Sequence, residues 1–185
     1  MNLRRIAALI IFILVLAPLT GCLGANHEEE SSEGLFVGAY MDYHMYLALN
    51  MSAGLMESSS SVEGRLHIEV IDENETHWKV LYEYYKENNS ETPENSTVKW
   101  IPKDKPIFIS KRNWTNVSEE EITFNGTNIT CQKYVFKNET VEEIYWVYDE
   151  IPIKIVYNMW ATLGSVTYTW TYKYDLIDTN VIELP

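Results

Sequence analysis

The segment from Met41 to Met51 is apolar at every second position: Met41, Tyr43, Met45, Leu47, Leu49 and Met51. An exact two-residue period puts one set of side chains on one face of an extended strand. The pattern returns at Val62, Leu66, Ile68 and Val70, which alternate with Glu63, Arg65, His67 and Glu69. It returns again at Trp78, Val80, Tyr82 and Tyr84. It is clearest at Val166, Tyr168, Trp170, Tyr172, Tyr174 and Leu176, with Thr167, Thr169, Thr171, Lys173 and Asp175 on the opposite face. β-Branched and aromatic residues are those a half-buried pleated surface favours. A helical period of 3.6 is lacking over any long stretch after the start of the chain. The best helical candidate is the short segment Ala53 to Ser58.

Turn chemistry and parity add connections. A slip of one residue turns every apolar side chain to the wrong face, so a hairpin loop must keep the faces matched. Between Val70 and Trp78 this predicts an odd loop, Glu73-Asn74-Glu75, with Ile68 opposite Val80 and Leu66 opposite Tyr82. Asn125-Gly126 is a two-residue hairpin signal that sets Ile122 against Ile129. A four-residue loop from Thr162 to Ser165 sets Met159 against Tyr168 and Tyr157 against Trp170. Agreement between turns and faces predicts an all-β domain, an antiparallel meander strongly curved into a half-barrel or barrel.

The start of the chain follows a different rule. Arg4 and Arg5 precede an apolar run from Ile6 to Leu16, followed by Pro18 and Leu19-Thr20-Gly21-Cys22. The run is shorter than the roughly 20 residues a spanning helix needs. The layout is that of a cleavable secretory signal over residues 1–21. Leu19-Thr20-Gly21-Cys22 resembles the lipobox of prokaryotic lipoproteins. That resemblance implies diacylglycerol on the Cys22 thiol and cleavage before it, so the membrane is a partner through lipid and the protein sits on the outer face of the cell membrane. Two acyl chains hold a protein stably on a bilayer where one does not. Residues 22–34, with Asn26-His-Glu-Glu-Glu-Ser-Ser-Glu33, read as a flexible tether. Residues 35–185 then form a single domain.

Composition narrows the partners. The whole chain carries a formal charge of −13. Loss of Arg4 and Arg5 would make it more negative still. Nucleic acid and anionic bilayers need basic patches, so neither is expected as a partner. With Cys22 consumed by lipid, Cys131 is left unpaired within Ile129 to Phe136 and reads as a buried structural thiol.

Nine Asn-X-Ser/Thr sequons occur, at Asn50, Asn74, Asn88, Asn95, Asn113, Asn116, Asn125, Asn128 and Asn138. Chance predicts roughly two from this composition, and in an exported chain such sites are candidate glycan acceptors. A lipobox together with dense sequons points to an archaeal surface protein.

No linear catalytic motif is present: no Gly-x-Ser-x-Gly, phosphate loop, His-Glu-x-x-His or dinucleotide fingerprint. No enzyme activity, cofactor or metal is therefore expected. His44, His67 and His77 fall on polar faces, and Glu28 to Glu30, Glu119 to Glu121 and Glu142-Glu143 read as solvated acidic clusters. The aromatic load is the remaining signal, with 13 Tyr and 6 Trp. Core packing accounts for part of it. A curved sheet left partly unfilled would hold an apolar ligand against Trp78, Tyr82, Tyr168, Trp170 and Tyr172.

The segment from Ile122 to Ile177 is similar to the last hairpins of half-barrel lipoprotein domains of the LolA/LppX type. The resemblance rests on strand architecture and the lipid anchor, and it implies a concave apolar surface for a lipid or other hydrophobic small molecule. The alternative is a structural or adhesive cell-surface glycoprotein whose glycans and acidic faces meet envelope partners. Oligomeric state does not follow from the sequence.

Overall fold

The computed structural model describes residues 35–86, 91–105, 107 and 113–182. Cys22, the proposed signal and tether, and Asn88 lie outside the described residues. Nine strands form one antiparallel sheet: β1 (Tyr40–Ala53), β2 (Met56–Glu73), β3 (His77–Tyr85), β4 (Asn95–Pro102), β5 (Asn116–Phe124), β6 (Thr127–Lys137), β7 (Val141–Tyr148), β8 (Ile151–Leu163) and β9 (Val166–Thr179). The described residues contain no helix. The segment from Ala53 to Ser58 is the β1–β2 hairpin instead, with Ala53 paired to Met56 and Gly54 at φ 62°. A glycine with positive φ opening a two-residue turn is hairpin chemistry, and it overrides the short run of helix formers.

The strand order is β4-β3-β2-β1-β9-β8-β7-β6-β5. The chain therefore makes two meanders, β1 to β4 and β5 to β9, joined where the first strand pairs with the last. β4 and β5 lie on opposite edges, so the sheet is open and the closed-barrel expectation is not met. Edge chemistry fits this outcome. Glu119, Glu120 and Glu121 on β5 and Lys99 on β4 put charges on both edge strands, a device that discourages further strand pairing.

Apolar faces meet in the three hairpins expected from the sequence, but two of their registers differ from that expectation by two residues. Ile68 pairs with Tyr82 and Val70 with Val80, and an irregularity follows between Val70 and Asp72. The cause is the turn. Asn74 accepts from the backbone N–H groups of Thr76 and His77, which closes an Asx turn of even length. One unpaired residue, Ile71, restores parity. In the last hairpin, Leu163 pairs with Val166 and Met159 with Trp170, because Gly164 at φ 63° makes a two-residue turn rather than a four-residue loop. The Asn125-Gly126 hairpin is as expected, with Ile122 opposite Ile129 and φ of 48° and 83° at the turn.

The core lies toward the end of the sheet where β1 begins. Met41, Tyr43, Ile68, Val70, Val80, Cys131, Ile153 and Leu176 are buried in one cluster that draws on both meanders. Tyr43 Oη donates to the Pro152 carbonyl at 2.9 Å, which ties β1 to the start of β8 across β9.

Candidate functional site

The strands are of unequal length, and this creates the site. β1, β2, β8 and β9 have 14, 18, 13 and 14 residues. Their flanks, β3 and β7, have 9 and 8. β3 pairs with β2 only as far as Arg65, and β7 pairs with β8 only as far as Met159. The order β2-β1-β9-β8 thus extends past its neighbours as a four-stranded tongue.

Register defines the two faces of the tongue. On one, Leu47 lies in a row with Val62, Tyr172 and Tyr157. The next row holds Leu49, Trp170 and Met159, and the last holds Met51, Tyr168 and Ala161. Tyr168 stacks on Trp170 with centroids 5.8 Å apart and planes 20° from parallel. Tyr157 meets Tyr172 edge-on at 5.8 Å. Trp170, Tyr168, Tyr157 and Met159 are only half-buried. An aromatic surface of this kind, outside the closed core, is where an apolar molecule gains most from contact. Tyr172 adds a polar point. It is buried, its Oη has no hydrogen-bond partner among the described residues, and burial pushes its pKa up to about 12. A buried hydroxyl without a partner is costly, so an incoming donor or acceptor would be favoured there.

The other face of the tongue is built from Asn50, Ser52, Ser59, Thr167 and Thr169. A surface hollow of about 370 Å³ lies here, lined by these residues with Met51, Glu57 and Ser58. Its chemistry is hydroxyl and amide, unlike that of the aromatic face behind it.

The sequence candidates divide. Tyr168, Trp170 and Tyr172 stand together on β9. Trp78 and Tyr82 do not join them. They are buried on β3 in the core cluster, and Tyr82 falls in the row of Ile68 and Met41. Met41 is six positions before Leu47 on β1, about 20 Å along a strand. Lys103 Nζ covers the Trp78 ring at 4.2 Å, and Lys99 Nζ lies 5.9 Å from the Tyr82 ring centroid. These two aromatics fill structure rather than line an opening.

Glu143 departs from the solvated-cluster expectation. It is 1% exposed, sits opposite Tyr157, and has Tyr145 Oη 3.5 Å from Oε2. The signal was present in the sequence, since Glu143 shares parity with Val141 and Tyr145. Charge alone pointed the other way.

Among the described residues no group of His, Cys, Asp and Glu is arranged to hold a metal. His67 Nδ1 is 3.1 Å from Asp42 Oδ1, and His44 Nε2 is 3.6 Å from Glu63 Oε2, both across the β1–β2 pairing. Cys131 is fully buried and unpaired, and burial followed by the Glu120 charge pushes its thiol up to about 11. A thiol so protonated at neutral pH is a poor nucleophile.

No family model, curated protein or solved structure matches this chain. No enzyme family is therefore indicated, and the geometry itself must carry the functional reading. Seven of the sequon asparagines, Asn50, Asn74, Asn113, Asn116, Asn125, Asn128 and Asn138, are exposed, and Asn95 at the start of β4 is half-buried.

Proposed function

We propose that this protein is an extracytoplasmic lipoprotein, anchored through lipid on Cys22, that holds a hydrophobic ligand on the aromatic face of its tongue. The observation that carries the reading is the half-buried Tyr168/Trp170 stack beside the unpartnered Tyr172 hydroxyl. A molecule with an apolar body and one polar group matches both. A curved, half-barrel sheet would wrap such a molecule. Curvature about this face is supported by the surroundings of Tyr174: burial raises its pKa, and Tyr172, Tyr145 and Tyr84 add to the rise. Tyr84 is on β3 and Tyr145 on β7, to either side of β9 in the sheet, so groups from both flanks act on the same hydroxyl.

Native mass spectrometry of protein extracted from its own cells is the direct test. The expected result is a co-purifying lipid or other apolar small molecule on the folded chain. Trp170→Ala removes the platform and should weaken binding of that molecule by about tenfold or more, given the area an aromatic side chain contributes. Unchanged binding by Trp170→Ala would overturn this placement of the ligand. Intact mass of the same material tests the anchor, since a diacylglyceryl group and loss of residues 1–21 are expected together.

The alternative, an adhesive surface glycoprotein, draws support from the exposure of the sequon asparagines. It predicts envelope cross-links and no bound small molecule.

A further inference from the structure

The tip of the tongue has a composition unlike the rest of the chain. Leu47 to Val62 carries a single charge, Glu57, and Tyr157 to Tyr172 carries none, in a chain that is 22% charged. These two segments are the β1–β2 and β8–β9 hairpins. Ala53 pairs with both Met56 and Val166, and Val166 with Leu163, so the two turns end side by side. Leu55 is 105% exposed, Met56 74% and Leu163 76%, the three most exposed large apolar residues described. Two adjacent turns therefore present bare apolar side chains on a stem whose single charge is Glu57.

We propose that this tip inserts into the surface of a lipid bilayer. Shape favours a bilayer over a protein partner. A stable protein interface covers about 800 Å² on each side, which needs a broad complementary surface. Two narrow turns offer points, and a deformable medium takes points. Depth is consistent as well. Interfacial apolar groups reach about 5–10 Å into the headgroup and acyl boundary, or two to three residues of strand. From the turn that immerses Ala53 to Met56 and leaves the Ser52–Glu57 pair and the serines beyond it among the headgroups. Charge selects the lipid. A protein this acidic is repelled by an anionic surface, so the favoured bilayer is neutral. This inference does not depend on the ligand reading above, because the tip residues are separate from the Tyr168/Trp170 platform.

The test uses the full chain as Cys22→Ser, which removes any lipid anchor. A polarity-sensitive fluorophore is attached at Leu55→Cys, at Leu163→Cys, or at Glu73→Cys near the opposite end of the sheet. The buried Cys131 stays unlabelled. Neutral phosphatidylcholine vesicles should blue-shift emission from positions 55 and 163 and leave position 73 unchanged. The double variant Leu55→Ser/Leu163→Ser should lose about a hundredfold in vesicle partitioning, the product of two exposed leucines no longer buried. No shift at the tips, whether or not the protein sediments with the vesicles, would overturn the proposal. So would a tip shift that appears without vesicles and grows with protein concentration, which would make the tip a contact between copies of this chain.

Discussion

Gly64 and His67 illustrate how single positions hold the β1–β2–β3 region. Gly64 sits in the row of Met45 on β1. A Cβ there would overlap the Tyr85 carbonyl oxygen and lie 2.8 Å from the Tyr84 ring. The glycine is empty space that Tyr84 uses to reach across the sheet. Because the obstacle includes backbone, Gly64→Ala should destabilise the fold by about 1–3 kcal/mol, the usual cost of overpacking, read as a lowered denaturation midpoint. His67 supplies a pH dependence. Its pKa is raised, first by the Asp42 hydrogen bond and further by the Glu69 carboxylate, with desolvation opposing. Arg65 shares the same carboxylate at 3.9 Å, and Tyr40 stacks at 6.1 Å. A group whose folded pKa lies above its unfolded value of about 6.5 stabilises fully below that pH, and the contribution is lost as pH rises through the folded pKa. Thermal stability should therefore fall from pH 6 toward pH 8, and His67→Gln should flatten that fall. A slope unchanged in the variant would assign it to another group.

At the scale of elements, the turns decide more than the strands. Asn74-Glu75-Thr76 and Asn138-Glu139-Thr140 are built alike. Each Asn Oδ1 accepts from the Thr backbone N–H and from the N–H that follows, at 2.8–2.9 Å, with the Thr hydroxyl at 3.3 Å. Each Asn backbone N–H also reaches the carbonyl three residues on, at 2.9 Å. These two sequons are hairpin turns in their own right, so part of the sequon excess is turn chemistry. The proposed glycan would use the amide nitrogen and leave the acceptor oxygen in place. Asn74→Ala and Asn138→Ala should each cost about 1–2 kcal/mol in unglycosylated protein, from the lost acceptor. Asn50→Ala, on an exposed strand position, should leave the same denaturation curve unmoved.

Across the whole molecule, the pairing of β1 with β9 joins two local meanders into one sheet. Tyr43 and Leu176 meet there although 133 positions separate their numbers. Such a seam is paid in chain entropy before it is repaid in contacts, which favours slow folding relative to the hairpins themselves. It also sets the working geometry. The long strands are those beside the seam, so the tongue, its aromatic face and its apolar tip all arise from that junction. The first described residues are at the opposite end, where Gly38 N–H bonds to the Val70 carbonyl at 2.7 Å. With β1 spanning 14 residues, that end is roughly 45 Å from the tip.

The strands and their faces were legible because a two-residue period is a local property, carried by neighbours such as Tyr168, Trp170 and Tyr172. So was the Asn125-Gly126 turn, where two residues suffice to set the backbone. The Ile71 irregularity was not, since it reconciles an even turn with a distant face requirement, and no local window contains both. Trp78 and Trp170 look alike in sequence, each an aromatic on an alternating strand. Which of them is sealed in the core and which stays open depends on how far the neighbouring strands extend. The same holds for Glu143: its parity was written in the chain, but its burial required Tyr157 and Tyr145 to close around it. Alternation is fixed by covalent order, whereas exposure is fixed by what other strands bring alongside.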